Sequence, residues 1–141
     1  MTKKNVCISA YMDPLHKGHI ELITKAKALC EGGKLIVIVN NDEQAIMKKG
    51  KYFMTCDERV KIIEALRDVD VVIKSLDTDR TVCKTLEHAH LIHTVDIFAN
   101  GGDQFNEIIP ERAVCEQYGI QLVDGLGAKI QSSSWLTGIK P

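Results

Sequence analysis

The sequence predicts an α/β protein built on a doubly wound, five-stranded parallel sheet. Apolar runs of strand length alternate along the chain with longer segments of helical periodicity. The second run is apolar on both faces, which is typical of a strand covered on both sides of a parallel sheet. The 141 residues contain no internal repeat or linker, so a single domain over residues 1–141 is expected. Right-handed crossovers join the successive strands, and the strand order extends outward from the first strand in both directions.

The first part of the chain predicts two strands and two helices. Residues 5–11 (NVCISAY) are a short apolar run with β-branched residues, which indicates a buried strand. Residues 18–33 carry apolar side chains at helical spacing and end in a glycine pair that stops a helix. Residues 34–40 (KLIVIVN) form the second strand. The polar residues that follow can cap a short helix over residues 42–49 (DEQAIMKK).

The middle of the chain begins with a basic loop, residues 49–54 (KGKYFM). A helix is predicted over residues 55–69, with Ile62 among its inward-facing residues, because a threonine cap and two acidic residues precede a periodic apolar pattern. Residues 70–76 (DVVIKSL) predict the third strand. Residues 81–92 predict the next helix.

The last part of the chain completes the alternation. Residues 95–100 (VDIFAN) predict the fourth strand. Residues 109–119 predict a helix, with a proline in its first turn and a glycine at its end. Residues 120–125 (IQLVDG) predict the fifth strand, and residues 132–138 (SSSWLTG) a short final helix. Five strands separated by helices are therefore expected.

Composition and charge exclude several classes of protein. The net charge is −1, so the overall field does not favour nucleic acid or a membrane surface as a partner. No apolar run approaches the ~20 residues of a membrane span, and the N-terminal stretch is unlike a signal peptide. The five cysteines are scattered and odd in number, which argues against a disulfide framework and indicates a reducing, cytoplasmic setting.

The loops that follow the strands carry the chemistry. In doubly wound sheets, ligands bind at the carboxyl ends of the strands, near the point where the strand order reverses. Residues 10–19, 40–51, 99–105 and 124–134 follow four of the predicted strands. Together they supply two histidines, several lysines, a glycine-rich turn and a run of serines at a helix start. Because donors dominate this set, the sequence predicts a polyphosphate site.

The stretch MDPLHKGH places His16 just before a helix and His19 in its first turn. Two imidazoles there can donate to phosphate oxygens, the helix N-terminus adds N–H groups, and Gly18 permits close backbone approach. A metal site is the first alternative, but it would need further ligands, and Asp13 is the only obvious one nearby. A purely structural role is the second alternative. Phosphate contact is favoured over both.

Four segments in order resemble the cytidylyltransferase-like nucleotidyltransferases. MDPLHKGH resembles the H-x-G-H signature of that family, and DERVKII resembles its arginine-bearing helix. NGGDQF resembles its G-G-D segment, and IQSSSWL resembles the S-T-T motif that opens its last helix. The resemblance covers nearly the whole chain.

The resemblance implies a Rossmann-like nucleotidyltransferase fold and a defined reaction. Such an enzyme would transfer a nucleoside monophosphate from CTP or ATP to a phosphorylated small alcohol or sugar, and pyrophosphate would leave. The chain looks similar to the branches that act on glycerol 3-phosphate and on heptose 1-phosphate, with a lean toward the second. The resemblance further implies Mg²⁺ held mainly by the nucleotide phosphates, a cytoplasmic homodimer, and no nucleic-acid or membrane partner.

Roles for individual residues follow from the resemblance. His16 and His19 would contact the triphosphate and stabilise the leaving pyrophosphate, and Lys48 or Lys49 would neutralise the pentacoordinate phosphorus. Arg59 and Lys51 would bind the phosphorylated substrate. The nucleotide would be bound by residues of four segments: Ala10, Tyr11, Met12, Gly18, Gly101, Gly102, Asp103, Ser132, Ser133 and Ser134.

Plainer interpretations stay open for several of these residues. The lysines could be a solvated charge run, the serines a simple helix cap, and the G-G-D segment a tight turn. Arg59 could instead pair with Asp57 or Glu64 on a helix surface. The histidines at positions 88, 90 and 93 are interpreted as surface or helix-end residues, since positions i and i+2 do not share a helix face.

Two departures from the family pattern bear on function. Ala10 stands where the family typically has glycine, so its β-carbon could crowd a nucleotide. Met12 stands where phenylalanine is usual, which is a milder change in volume. The alternative function is therefore a nucleotide-binding regulatory protein of the same fold that has lost turnover.

Overall fold

The computed structural model describes residues 3–101 and 109–126, with the side chains of residues 124–126 left aside. Five strands form one parallel sheet in the order β3-β2-β1-β4-β5. The predicted doubly wound parallel sheet is therefore confirmed. The strands are Val6–Ala10 (β1), Leu35–Val39 (β2), Val71–Lys74 (β3), Ile97–Gly101 (β4) and Gln121–Leu126 (β5).

Helices connect the strands in the predicted sequence of elements. They are Lys17–Leu29 (α1), Asp42–Lys49 (α2), Cys56–Glu64 (α3), Cys83–His93 (α4) and Arg112–Tyr118 (α5). The final helix predicted over residues 132–138 lies outside the described residues. None of the helices in the described ranges is long and apolar enough to cross a membrane.

Helix α3 is shorter than predicted. It ends at Glu64 instead of continuing to residue 69, because Ala65 and Leu66 donate to carbonyls three residues back, at Ile62 and Ile63. Such bonds tighten and close the last turn of a helix. The side chain of Ile62 is 39% exposed, so its predicted inward orientation is wrong.

Two apolar layers cover the sheet. Alternate side chains of a strand point to opposite faces, so Val6 and Ile8 of β1 pack in one layer and Cys7 in the other. Strand β2 is buried along its whole length, as its uninterrupted LIVIV run indicated. Helices α1 and α3 contribute to the first layer, and α4 and α5 to the second.

The strand order places the crevice of the fold beside β1. Strand β1 pairs with β2 on one side and β4 on the other, and the chain reverses its winding between them. The loops that leave the carboxyl ends of β1, β2 and β4 therefore start at the same edge of the sheet. This edge is where the sequence predicted the phosphate site.

Gly33, which precedes β2, is predicted to be intolerant of any side chain. A Cβ added there would overlap the backbone carbonyl of Lys4, and the Gly33 N–H donates to Cys30 O at 2.9 Å. We expect Gly33→Ala to lower the free energy of unfolding by about 2–3 kcal/mol. Gly50 has a positive φ of 84° but open space around it, so Gly50→Ala should cost only about 1 kcal/mol. Urea denaturation of both variants checks the difference, and equal losses would contradict the packing at Gly33.

Candidate active site

The two histidines cap the first helix through a reciprocal pair of hydrogen bonds. His16 is the N-cap of α1, and its Nδ1 accepts from the backbone N–H of Gly18 at 3.1 Å. The Nδ1 of His19 accepts from the backbone N–H of His16 at 3.2 Å. This arrangement is a capping box in which imidazole nitrogens replace the usual oxygen acceptors.

These bonds determine which ring nitrogen carries the proton. A neutral imidazole has one N–H donor and one acceptor nitrogen, and in both rings Nδ1 is the acceptor. Nε2 of His16 and of His19 must then carry the hydrogen. The ring centroids lie 3.9 Å apart with a tilt of 30°, so the two donor-bearing rings form one closely spaced pair. The pair is suited to neighbouring oxygen atoms of one anion.

Burial keeps both rings neutral. Burial, followed by the charges of His16, Lys49 and Lys48, lowers the pKa of His19 to about 3. Burial and the charge of Lys49 also lower the pKa of His16. At neutral pH the histidines therefore act as hydrogen-bond donors, while positive charge comes from the lysines beside them.

The shifted pKa of His19 predicts a pH-dependent stability. An unfolded histidine binds a proton near pH 6.5, whereas folded His19 does so only near pH 3. The unfolded state therefore binds more protons between these values, and stability falls as the pH falls. Between pH 6.5 and 4.5, the free energy of unfolding should fall further in wild type than in His19→Gln. Allowing for the partial exposure of His19, we expect a difference on the order of 1–2 kcal/mol.

Urea denaturation at the two pH values measures this difference. Glutamine at the third helical position can still accept from the N-cap backbone, so His19→Gln keeps the capping bond. His88→Gln, at an exposed position of α4, serves as the control and should behave like wild type. If acidification lowers the free energy of unfolding equally in wild type and His19→Gln, His19 is not held neutral.

The structure brings Lys48 and Lys49 to the histidines. Both lie in the last turn of α2, and so Lys49 is helical and not part of the loop predicted over residues 49–54. The Lys48 Nζ lies 4.4 Å from the centroid of the Tyr11 ring. Lys49 is half-buried, and burial lowers its pKa while the nearby Asp13 carboxylate opposes that shift. Lys51 is exposed beyond the end of α2.

Asp13 holds the segment after α2 against the first loop. Its side chain is 3% exposed, and its two oxygens accept from the backbone N–H groups of Phe53 at 2.8 Å and Met54 at 2.5 Å. Across the described residues, no group of three or more His, Cys, Asp or Glu side chains is placed to hold a metal ion. The metal interpretation of His16 and His19 therefore gains no support from their surroundings.

Arg59 is the largest fully buried side chain among the described residues and joins three segments. Its Nε donates to Met54 O at 3.0 Å, and its Nη1 donates to Tyr11 O at 2.7 Å and Asn40 O at 2.8 Å. Its Nη2 contacts Asp42 Oδ1 at 3.1 Å. The guanidinium thus ties the loops after β1 and β2 to helix α3.

This geometry changes the interpretation of Arg59. Surface pairing with Asp57 or Glu64 is wrong, because Arg59 is 1% exposed and Asp57 pairs with Lys74 at 2.9 Å. Direct contact with a substrate phosphate stays a prediction, but the donors already bind the protein's own carbonyls. The structure favours a positioning role for Arg59, in which it fixes the loops that carry the site.

The three residues at the end of β1 differ in their surroundings. Tyr11 is half-buried beside Lys48. Met12 is fully buried in the first apolar layer and has a positive φ of 51°. Ala10 packs against the same layer. Nucleotide contact by these residues and by Gly18 stays a prediction.

Several predicted residues cannot be placed. Gly101 is the last residue of β4, so it lies in the strand and not in the turn predicted to follow residue 100, and its contact with a nucleotide stays a prediction. The remaining predicted nucleotide-binding residues lie outside the described residues: Gly102, Asp103, Ser132, Ser133 and Ser134.

The loop after β3 lies against the candidate site, although the sequence did not predict this. The buried Gln44 side chain donates to Asp79 O and Thr81 O, each at 2.7 Å, and so binds this loop to α2. The residue between them, Arg80, lies close enough to the Tyr11 hydroxyl to oppose the rise that burial causes in its pKa. The only sequence signal was a glutamine at the third position of α2, which a capping box explains without a long-range contact.

Comparison with known proteins agrees with the fold and the motifs. The chain is 28% identical over 123 residues to "Glycerol-3-phosphate cytidylyltransferase" of Bacillus subtilis (strain 168), covering 87% of this chain and 90% of that protein. It is 34% identical over 125 residues to "Bifunctional protein HldE" of Desulfatibacillum aliphaticivorans. That match covers 86% of this chain but 24% of that protein, so the chain spans about a quarter of the HldE relative.

A solved structure shares the fold. The lipopolysaccharide core biosynthesis protein from Thermoplasma volcanium GSS1 superposes with a TM-score of 0.69 at 22% identity, over 90% of this chain and 99% of that one. A family profile described as cytidylyltransferase-like matches residues 11–134, which is most of the chain. With the motifs, the sheet order and this match in agreement, the chain belongs to the cytidylyltransferase-like family.

Proposed function

We propose that this protein transfers a nucleoside monophosphate from CTP or ATP to a phosphorylated small alcohol or sugar and releases pyrophosphate. The observation that carries the proposal is the pair of Nε2–H donors on His16 and His19, set beside Lys48 and Lys49 at the switch point of the sheet. Neutral donors and nearby cations at a helix N-terminus suit a polyphosphate. Family membership and both named relatives point to the same class of reaction.

The proposed step is an in-line displacement at the α-phosphorus. An oxygen of the acceptor phosphate forms the new P–O bond as the bond from the α-phosphorus to the bridging oxygen breaks, and pyrophosphate leaves with that electron pair. The acceptor oxygen is already an anion, so no general base is needed. Catalysis then comes from positioning and from donors that meet the developing charge. His16 and His19 would stabilise the leaving group, and Lys49 would neutralise the reacting phosphate.

Magnesium, expected from the family resemblance, has no protein cage among the described residues. Asp13, the carboxylate that precedes the histidines in the same loop, already accepts two backbone N–H groups. As the resemblance implies, we expect a magnesium ion to be held mainly by the oxygen atoms of the nucleotide phosphates.

The base and the acceptor are proposed only as classes. The glycerol-3-phosphate relative covers the chain almost from end to end and favours CTP with a small phosphorylated alcohol. The HldE relatives are more similar in identity, at 30–35%, and favour the sugar-phosphate branch. A functional test should therefore include CTP with a phosphorylated alcohol and ATP with a sugar phosphate.

Ala10 weighs less against activity than the sequence indicated. The methyl group of Ala10, which the usual glycine lacks, packs against the first apolar layer. Contact with the core therefore explains the methyl group without a loss of nucleotide binding. The case for a regulatory protein without turnover rested on this residue. We therefore favour the enzyme.

A thermal-shift screen with CTP, ATP, GTP and UTP plus magnesium tests the nucleotide part of the proposal. A ligand that binds only the folded state must raise the melting temperature. We expect CTP or ATP to give the largest shift, and pyrophosphate to appear when a suitable acceptor is added. A shift without pyrophosphate for any acceptor would instead favour the regulatory protein.

The homodimer expected from the resemblance stays a prediction. Sedimentation at micromolar concentration decides it. A monomer at that concentration would contradict the expectation.

A further inference from the structure

The backbone around Arg80 is held on both sides by one buried side chain. Gln44 is fully buried, and its amide donates to the carbonyls of Asp79 and Thr81, the two neighbours of Arg80. The Asp79 carboxylate in turn accepts from the Thr81 N–H at 2.9 Å and the Thr81 hydroxyl at 2.7 Å. An exposed residue therefore sits on a fixed backbone.

The two ends of the same loop are anchored as well. The Asn41 side chain donates to Ser75 O at 3.1 Å and Asp77 O at 3.0 Å. At the other end, the N–H of Val82 donates to the buried Glu111 carboxylate at 2.8 Å. Such precise support for a loop with an exposed tip indicates that the position of the tip matters, since surface loops are ordinarily mobile.

The side chain of Arg80 reaches into the candidate site. Its guanidinium lies close to the hydroxyl of Tyr11 and opposes the rise that burial causes in the pKa of that hydroxyl. The Lys48 Nζ lies over the Tyr11 ring, 4.4 Å from its centroid. A cation from the loop after β3 and one from the end of α2 therefore lie beside a single tyrosine that directly follows β1. Tyr11 lies at the switch point of the sheet, where ligands of this fold class bind.

The charge of Arg80 is not neutralised by a salt bridge within the described part of the chain. The ion pairs formed there involve other cations. Asp79, the adjacent carboxylate, is engaged by Thr81. An arginine beside a binding cleft and without a carboxylate partner is suited to a planar anion such as a phosphate.

The cations of the site extend from the histidines to Tyr11. Lys49 lies close enough to influence both histidines and Lys48 influences His19, so Lys49 belongs with the triphosphate and Lys48 lies between the histidines and Tyr11. Arg80 and Lys48 meet at Tyr11. The proposed reaction brings two separate phosphate-bearing substrates together, which requires a second anion site next to the first.

We propose that Arg80, with Lys48 over the ring of Tyr11, binds the phosphate group of the phosphorylated acceptor. This inference rests on the proposed function and adds a specific residue to it. Gln44 is then a positioning residue, because it fixes the backbone on either side of Arg80. The predicted substrate-binding role moves from the buried Arg59 to the exposed Arg80.

Steady-state kinetics of Arg80→Gln test the inference. We expect the KM for the phosphorylated acceptor to rise at least about tenfold, while the KM for the triphosphate changes less than about threefold. Arg80→Lys should recover part of the loss, because it keeps the charge but not the fork of donors. Arg67→Gln, at an exposed arginine before β3 and hence near the opposite edge of the sheet, is the matched control and should behave like wild type. A raised triphosphate KM with an unchanged acceptor KM, or no change in either, would overturn the proposal.

A binding assay separates this inference from the proposed function. Thermal shifts are measured with magnesium, the best triphosphate, and inorganic phosphate, glycerol 3-phosphate or glucose 1-phosphate as the probe. A shift in wild type and Arg67→Gln that is lost in Arg80→Gln supports the anion site even if pyrophosphate is never released. No shift from any probe in wild type, or an equal shift in Arg80→Gln, would overturn it. The melting temperatures of the unliganded variants establish that each is folded.

Discussion

Replacing His16 with asparagine or His19 with glutamine is expected to lower kcat for nucleotidyl transfer about 100-fold or more. Each change removes one Nε2–H donor from the pair that would meet the leaving pyrophosphate. Removing one donor aimed at developing charge typically costs 10²–10³ in rate, or about 3–4 kcal/mol. Pyrophosphate release under saturating substrates measures the loss.

These substitutions are chosen to preserve the helix cap. Asparagine is a good N-cap, and glutamine at the third position can accept from the N-cap N–H. The melting temperature should therefore stay within a few degrees of wild type. A kcat near that of wild type would mean that the histidines serve only the cap. Stoichiometric zinc lost on substitution of His16 would instead favour the metal interpretation.

Replacing Arg59 with methionine is expected to cost about 3–5 kcal/mol of unfolding free energy. Methionine keeps much of the volume but removes every donor. The carbonyls of Tyr11 and Asn40 and the carboxylate of Asp42 then lose their partner. Each buried acceptor left without a donor costs about 1–3 kcal/mol, so the carbonyls account for most of the loss, while Asp42 is 37% exposed and keeps the N–H of Cys56. Urea denaturation at neutral pH gives the value.

Lys61→Met is the matched control, because Lys61 is exposed on the same helix. It should change stability by less than about 0.5 kcal/mol. The loss of stability in Arg59→Lys should lie between those of Arg59→Met and Lys61→Met, because a single ammonium group cannot reach all the acceptors of the guanidinium. A loss below about 1 kcal/mol for Arg59→Met would contradict the positioning role.

Much of the fold was predictable because its signals are local. The run LIVIV is buried throughout and lies inside the sheet, as an uninterrupted apolar strand should. Helix α2 was predicted with its observed ends, since Asn41 caps it and Gly50 closes it with a positive φ. The boundary of α3 was missed because the apolar pattern continues after the helix has ended, with Leu66 and Val69 still packed on the core.

The site was predictable only where its residues are close in sequence. His16 and His19 share one loop and one helix start, so their proximity could be inferred. Arg59 meets Tyr11 across 48 positions, and nothing local distinguishes a buried arginine from a surface one. Gln44 contacts the loop after β3 across 35 and 37 positions. Such contacts depend on the strand order, which alternation alone does not specify.

The most direct test of the account compares the amounts of pyrophosphate and nucleoside-diphosphate compound formed in one reaction. Purified protein, magnesium, the triphosphate that gives the largest thermal shift and a panel of phosphorylated alcohols and sugars are combined, and all phosphorus-containing products are quantified. The account predicts one pyrophosphate for each new nucleoside-diphosphate compound, and at least a 100-fold lower rate in His16→Asn. Bound triphosphate that yields no pyrophosphate with any acceptor, or that yields only orthophosphate, would contradict it.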